Sequence, residues 1–276
     1  MSYKTILVHA DLGAGAEGRI RLAARLARAG AAHLIGSAPT GVSRFIPPAT
    51  LAAAGPAFAE RCAGLRRDAA LALARFERLA AEEGVDSAEA RLVDDDADAG
   101  MALQARYCDL VVVSKAGAVE PPMPDDLPEY LMLTSGRPVL VLPAAHDGRA
   151  MDGNAMVAWD GSVEACRAAA GALPLLRAAR RATVIGLGDD GDDPSTGAQA
   201  CDGLAAWLRR QGVAAQPISS PLGGDIGKAL LSAAAGADCG LLVMGGYGHA
   251  RFRELLLGGV TATVLREMTL PVLFAH

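Results

Sequence analysis

The residues of this chain best suited to chemistry lie near its end, in the stretch LLVMGGYGHARFRELLLGGVTATVLREMTLPVLFAH, Leu241 to His276. A short apolar run, Leu241 to Met244, leads into Gly245, Gly246 and Gly248. Nine residues, His249 to Leu257, separate Gly248 from a second glycine pair, Gly258 and Gly259. Val260 and Thr261 then open a helical apolar pattern (Val260, Val264, Leu265) that stops before Pro271. Glycine leaves backbone N–H groups uncovered, so another molecule can approach closely. A helix start adds unpaired donors and the positive end of the dipole. One glycine turn after a strand and another at a helix start together supply what an anion such as a polyphosphate needs. The same residues also suit a turn and a helix start with no ligand.

Other patterns carry less chemistry. Gly13, Gly15 and Gly18 form G-x-G-x-x-G after the first strand and before a helix, the spacing of a dinucleotide fingerprint. The acidic residue that this fingerprint needs at the end of the next strand is missing, since Gly36 to Thr40 reads GSAPT, so no NAD site is expected. The acidic runs Asp94 to Asp98 and Asp189 to Asp193 lack the alternating ligands, the glycine and the terminal Glu of a calcium loop, and read as solvated loops or helix N-caps. Cys108 and Cys239 precede apolar strands and read as core residues. No Ser–His–Asp or Cys–His set, carboxylate pair or metal signature assembles, so no catalytic residue and no metal site is assigned.

The bulk properties set the class. With 276 residues, 51% of them hydrophobic and only 4% aromatic, the chain suits two domains in which small helix faces pack on sheets. A net charge of −5 and the lack of any Lys/Arg cluster argue against a nucleic-acid surface. Five scattered cysteines without C-x-x-C indicate reduced thiols, and no apolar run reaches the roughly 20 residues of a membrane span. The chain starts directly on a strand, without a charged and then apolar leader. A cytoplasmic protein with no membrane partner is expected.

The elements that position the glycine stretch repeat. Short apolar strands alternate with helices: Thr5 to Val8, a helix to Gly30, His33 to Gly36, a broken loop from Thr40 to Pro56, a helix from Ala57 to Glu83, Ala88 to Val93, a helix from Ala99 to Tyr107, Leu110 to Ser114, and Val139 to Leu142. The second half follows the same order. Ala155 to Ala158 ends in Trp159 and Asp160; a helix spans Val163 to Leu176. Strand Ala182 to Leu187, a helix from Thr196 to Gln211, strand Ala214 to Ser219 and a helix from Ile226 to Gly236 lead to the glycine stretch and a last strand, Val272 to Phe274. Asp11 answers to Asp160, LVVVS to LLVMG, and RPVLVL to LPVLFA. This alternation predicts an α/β chain of two tandem doubly wound five-stranded parallel-sheet domains, residues 1–148 and 149–276.

The glycine stretch resembles the universal stress protein family, whose nucleotide-binding members carry Gly-x-x-Gly, nine residues, then Gly followed by Ser or Thr. Gly245, Gly248 and Gly258 fit that spacing. Gly259 stands in place of the Ser or Thr, and Thr261 follows two residues later, so one hydroxyl is removed from the phosphate site. The resemblance covers the whole chain and implies tandem Rossmann-like domains of the adenine nucleotide alpha hydrolase-like class. It implies that Asp160 faces an adenosine with Ala158 and Trp159 beside it, and that Leu187 lies near the adenine. Met244, Gly245 and Gly248 would hold ribose and α-phosphate. Gly258, Gly259, Val260 and Thr261 would receive the outer phosphates, and His249 would help neutralise them. By residue type alone, Asp160 serves equally as the N-cap of the following helix. Family dimers pair through their last strands, which implies that Val139 to Leu142 and Val272 to Phe274 meet in an internal pseudo-dimer, with homodimers open.

Internal alignment of the halves places Gly117 at Gly248, and Asp125 and Asp126 at Gly258 and Gly259. Carboxylates there repel phosphate by several kcal/mol, roughly, at the effective dielectric of a protein surface. Prolines at 121, 122, 124 and 128 remove donors as well. The first half is therefore expected to be degenerate, with ATP, and Mg2+ beside it, bound in the second half of a stress-response sensor or regulator. Two other functions stay open: a slow ATPase or adenylyl-transfer enzyme using Thr261, and a nucleotide-free interaction protein.

Overall fold

The computed structural model describes residues 2–115, 127–187, 194–218, 224–247 and 259–276. The chain divides into two compact units, one of residues 2–137 and 144–150, the other of residues 138–143 and 151–276.

The N-terminal unit begins with β1 (Thr5–His9), α1 (Ala16–Gly30) and β2 (His33–Pro39), then α2 (Pro48–Ala53) and α3 (Pro56–Glu82). It continues with β3 (Ala88–Val93), α4 (Ala97–Ala105), β4 (Leu110–Ser114) and α5 (Leu127–Thr134). Its strands run in the order β3-β2-β1-β4, all parallel. The unbroken apolar run of β4 is buried from Leu110 to Val113, as a strand covered on both faces requires. β3 is half-exposed and carries charge, as suits an outer strand. The loop expected from Thr40 to Pro56 contains a helix instead, because Pro48 pre-sets the first-turn backbone angle and needs no donor there.

The glycines of the apparent dinucleotide fingerprint have packing roles. A Cβ on Gly18 would lie 1.8 Å from the His146 carbonyl oxygen, and one on Gly15 would lie 3.1 Å from that of Ala144. They are small because residues 144–148 cross the amino end of α1. Gly36 is equally constrained, since a Cβ there would come within 2.5 Å of the Phe76 ring.

The second unit comprises β5 (Val139–Leu142), β6 (Asn154–Trp159), α6 (Val163–Gly171), α7 (Leu173–Ala178), β7 (Arg181–Gly186) and α8 (Pro194–Arg210). It ends with β8 (Ala215–Ile218), α9 (Ile226–Gly236), β9 (Cys239–Gly245), α10 (Val260–Glu267) and β10 (Val272–Ala275). The strand order is β5-β10-β9-β6-β7-β8. All neighbours are parallel except β5, which pairs antiparallel with β10, Leu140 opposite Leu273. The two last strands thus meet as the family resemblance implies. The single helix expected from Val163 to Leu176 is broken after Gly171. Pro174 has no N–H to donate to Ala170 and restarts the chain as a second short helix.

Candidate functional site

Among the parallel strands of the second unit β6 comes first in the sequence, with β7 and β8 on one side of it and β9 and β10 on the other. The strand order therefore reverses between β6 and β9, and a crevice opens there at the carboxyl ends of parallel strands. Trp159 and Asp160 leave β6 at that edge, and Gly245, Gly246 and Tyr247 leave β9. Trp159 pairs with Gly186 of β7, and the N–H of Leu187 donates to the Trp159 carbonyl at 2.8 Å. Ala158, Trp159, Asp160, Leu187, Met244 and Gly245 thus share one end of one sheet. Gly248, His249 and Gly258 lie outside the described residues, as do Gly117, Asp125 and Asp126.

Each residue at this end has a local cause. The exposed Asp160 accepts from the N–H of Ser162 at 2.9 Å, closing a turn over Gly161, whose φ is +76°. Ser162, not Asp160, caps α6: its Oγ accepts from the Ala165 N–H at 3.1 Å. The cap function open to Asp160 in the sequence belongs to its neighbour, and the carboxylate keeps its second oxygen toward solvent. Ala158 and Met244 are buried, so only their backbones can face a ligand. The Trp159 indole Nε1 is buried without a hydrogen-bond acceptor.

Gly245 is fixed by packing. A Cβ there would come within 2.7 Å of the Ala165 nitrogen and 2.9 Å of the Glu164 carbonyl carbon, so the end of β9 lies against the first turn of α6. Beyond it, the Gly246 N–H donates to the Ala275 carbonyl, and its own carbonyl oxygen lies 3.0 Å from His276 Nδ1. Tyr247 adopts the left-handed conformation at φ 55°, which residue type alone did not signal. Its N–H donates to Thr261 Oγ1 at 3.3 Å.

Gly259 is the N-cap of α10 and contributes no side-chain cap. Its φ of −73° is open to any residue, so the backbone does not demand glycine there. What glycine removes is a hydroxyl that would compete for the first-turn N–H groups. Thr261, expected to offer its hydroxyl to phosphate, is 4% exposed and accepts from Tyr247. It acts first as a tie between the two turns.

The matching end of the N-terminal unit is filled differently. Asp11 leaves β1 as Asp160 leaves β6, but it pairs with Arg19 Nη2 at 2.9 Å and with His9 Nδ1 at 3.4 Å. It also accepts from the Gly13 N–H at 2.9 Å. Arg19 is 3% exposed, and its Nε donates to the His9 carbonyl. Burial would raise the Asp11 pKa, but Arg19 and His9 hold it below the ordinary carboxylate value. Burial first, then Arg19, push His9 down to about 4. An arginine of the chain itself thus occupies the carboxylate here, where among the described residues Asp160 in the other unit is engaged by the Ser162 N–H alone.

Comparison with known proteins bears on the fold. Residues 151–276 match the model of the universal stress protein family. No curated protein matches the chain in sequence. A universal stress protein from Archaeoglobus fulgidus DSM 4304 superposes with a TM-score of 0.69 at 16% identity, over 98% of this chain and 97% of that one. A functionally unknown protein from Pseudomonas aeruginosa PAO1 gives 0.59 at 20% identity, over 98% and 92%. A universal stress protein from Archaeoglobus fulgidus in complex with dAMP gives 0.36 at 15% identity, over 51% of this chain and 98% of that one. Residues 151–276 thus match the universal stress protein family, and the fold of a universal stress protein extends along nearly the whole chain.

Proposed function

We propose that this chain is a cytoplasmic stress-response sensor or regulator that binds ATP in its C-terminal domain, residues 149–276, and not in its N-terminal domain, residues 1–148. The observation that carries the reading is the hydrogen bond from the Tyr247 N–H to Thr261 Oγ1. It ties the turn after β9 to the amino end of α10, whose first-turn N–H groups would receive the phosphates. α10 has no side-chain cap and no acidic residue in its first turn, which leaves its positive end available to phosphate. Asp160 is exposed and held by one backbone N–H, which suits a ribose hydroxyl donor. Mg2+ would accompany the phosphates. Binding, not turnover, is the proposed activity. The five free thiols fit a reducing compartment.

The exclusion of the N-terminal domain rests on Arg19, which already neutralises Asp11. Isothermal titration of nucleotide-free protein with ATP tests both halves of the reading. One equivalent of ATP per chain, without phosphate release, is expected. Two equivalents would overturn the asymmetry, and no heat would overturn the binding.

A further inference from the structure

At the outer edge of the N-terminal sheet, the end of β3, α4 and Arg44 enclose a cleft of about 500 Å3. Asp94 to Asp98, expected as a solvated loop or a helix N-cap, places Asp96 at the N-cap of α4, yet Asp95 is 1% exposed. Its Oδ1 accepts from the N–H groups of Asp96 at 3.0 Å and Arg44 at 3.4 Å. Its Oδ2 accepts no hydrogen bond, although Arg44 Nε stands 3.4 Å away. A second acceptor in the same wall is also unmatched. Gln104 spends its amide N–H groups on Ser37 Oγ at 2.7 Å and the Gly100 carbonyl at 3.2 Å, and its Oε1 is buried with no donor. Both residues line the cleft and adjoin Gly100: a Cβ there would lie 3.4 Å from Asp95 Cβ, and its carbonyl accepts from Gln104 Nε2. A buried acceptor left without a donor is costly, and two in one cleft require N–H groups from elsewhere.

The other charges of the cleft narrow the ligand. Arg91 is held by both oxygens of Glu89, and Asp94 by Arg66. Arg44, the ion-pair partner of Asp95, stands at the mouth with its side chain 45% exposed and its guanidinium 4.8 Å from the centre of the Phe45 ring. The lining thus offers acceptors inside and a planar cation outside, with two arginines balanced by two aspartates. A ligand of zero net charge with a donor end and an anionic end complements it. We propose that this cleft binds a small zwitterion of the amino-acid class. Its ammonium donates to Asp95 Oδ2 and Gln104 Oε1, and its carboxylate accepts from the Arg44 guanidinium. The site lies wholly in the N-terminal unit and stands or falls apart from the nucleotide reading.

Ligand-detected NMR and titration calorimetry on the full chain, with the free proteinogenic amino acids, test it. n-Butylamine and butyrate serve as single-ended controls. At least one amino acid is expected to bind saturably, at least about tenfold more tightly than either control. Arg44→Gln and Asp95→Asn should each weaken that binding about tenfold or more. Arg44 is half-exposed, so Arg44→Gln carries the test even if Asp95→Asn fails to fold. The proposal is overturned if no amino acid saturates up to about 10 mM. Equal binding of n-butylamine, or affinity unchanged in Arg44→Gln, overturns it as well.

Discussion

The backbone N–H of Tyr247 donates to the hydroxyl of Thr261, 14 positions later, and so joins the turn after β9 to the first turn of α10. Thr261 is buried, and its replacement by valine keeps the shape while removing the hydroxyl that accepts from the Tyr247 N–H. Thr261→Val is expected to lower stability by about 1–2 kcal/mol and ATP affinity about tenfold. Thr261→Ser should retain both. Urea denaturation and calorimetric titration of the two variants check this.

Gly245 serves packing before it serves any ligand. Gly245→Ala forces a methyl against the backbone of Glu164 and Ala165 and should destabilise by about 1–3 kcal/mol. The loss should be the same with and without nucleotide after allowance for ligand linkage. Paired denaturation curves measure it.

The two aspartates at matching strand ends should respond in opposite ways. Asp11→Asn removes the charge that partners the buried Arg19 and should cost about 1–3 kcal/mol without affecting ATP binding. Asp160→Asn keeps an acceptor for the Ser162 N–H on an exposed side chain, so stability should change by less than about 0.5 kcal/mol. Its effect should fall on nucleotide affinity. A variant pair measured by both denaturation and titration separates the roles.

His9 gives the fold a defined acid sensitivity. Its folded pKa of about 4 lies below the ordinary value of 6.5, so between these the unfolded chain takes up a proton that the folded chain refuses. Its contribution is whole above about pH 6.5 and is lost as pH falls toward about 4, amounting to roughly 3 kcal/mol. Asp11, also lowered, adds a further loss below its ordinary range as it takes up a proton. His9→Gln should flatten the upper part of this decline in urea midpoints measured from pH 7 to pH 4.

Much of the architecture was legible because the strands are short apolar runs between helical periods, and the repeat marked their order. The breaks were less so. Pro48 read as part of a broken loop and Pro174 as part of one continuous helix, but each sits in the first turn of a helix, where the missing donor costs little. The glycines at 13, 15 and 18 read only as a fingerprint spacing without its acidic residue; that the chain's own residues 144–148 crowd Gly15 and Gly18 emerged from the fold. At the candidate site, Asp160 and the strand ends followed from pattern. The left-handed Tyr247, the Ser162 cap and the Arg19 pair did not, because each depends on a partner brought near only by folding.

The central claim is that backbone donors at the amino end of α10, tied to the end of β9 by Tyr247 and Thr261, hold a phosphate chain. The most direct measurement is calorimetric titration of ATP into nucleotide-free protein and into Gly259→Asp, which sets a carboxylate at the amino end of α10. The account predicts one site per chain in the wild type and an affinity at least about a hundredfold weaker in the variant, with its fold intact by circular dichroism. Undiminished binding by Gly259→Asp, or no binding by the wild type, would contradict it.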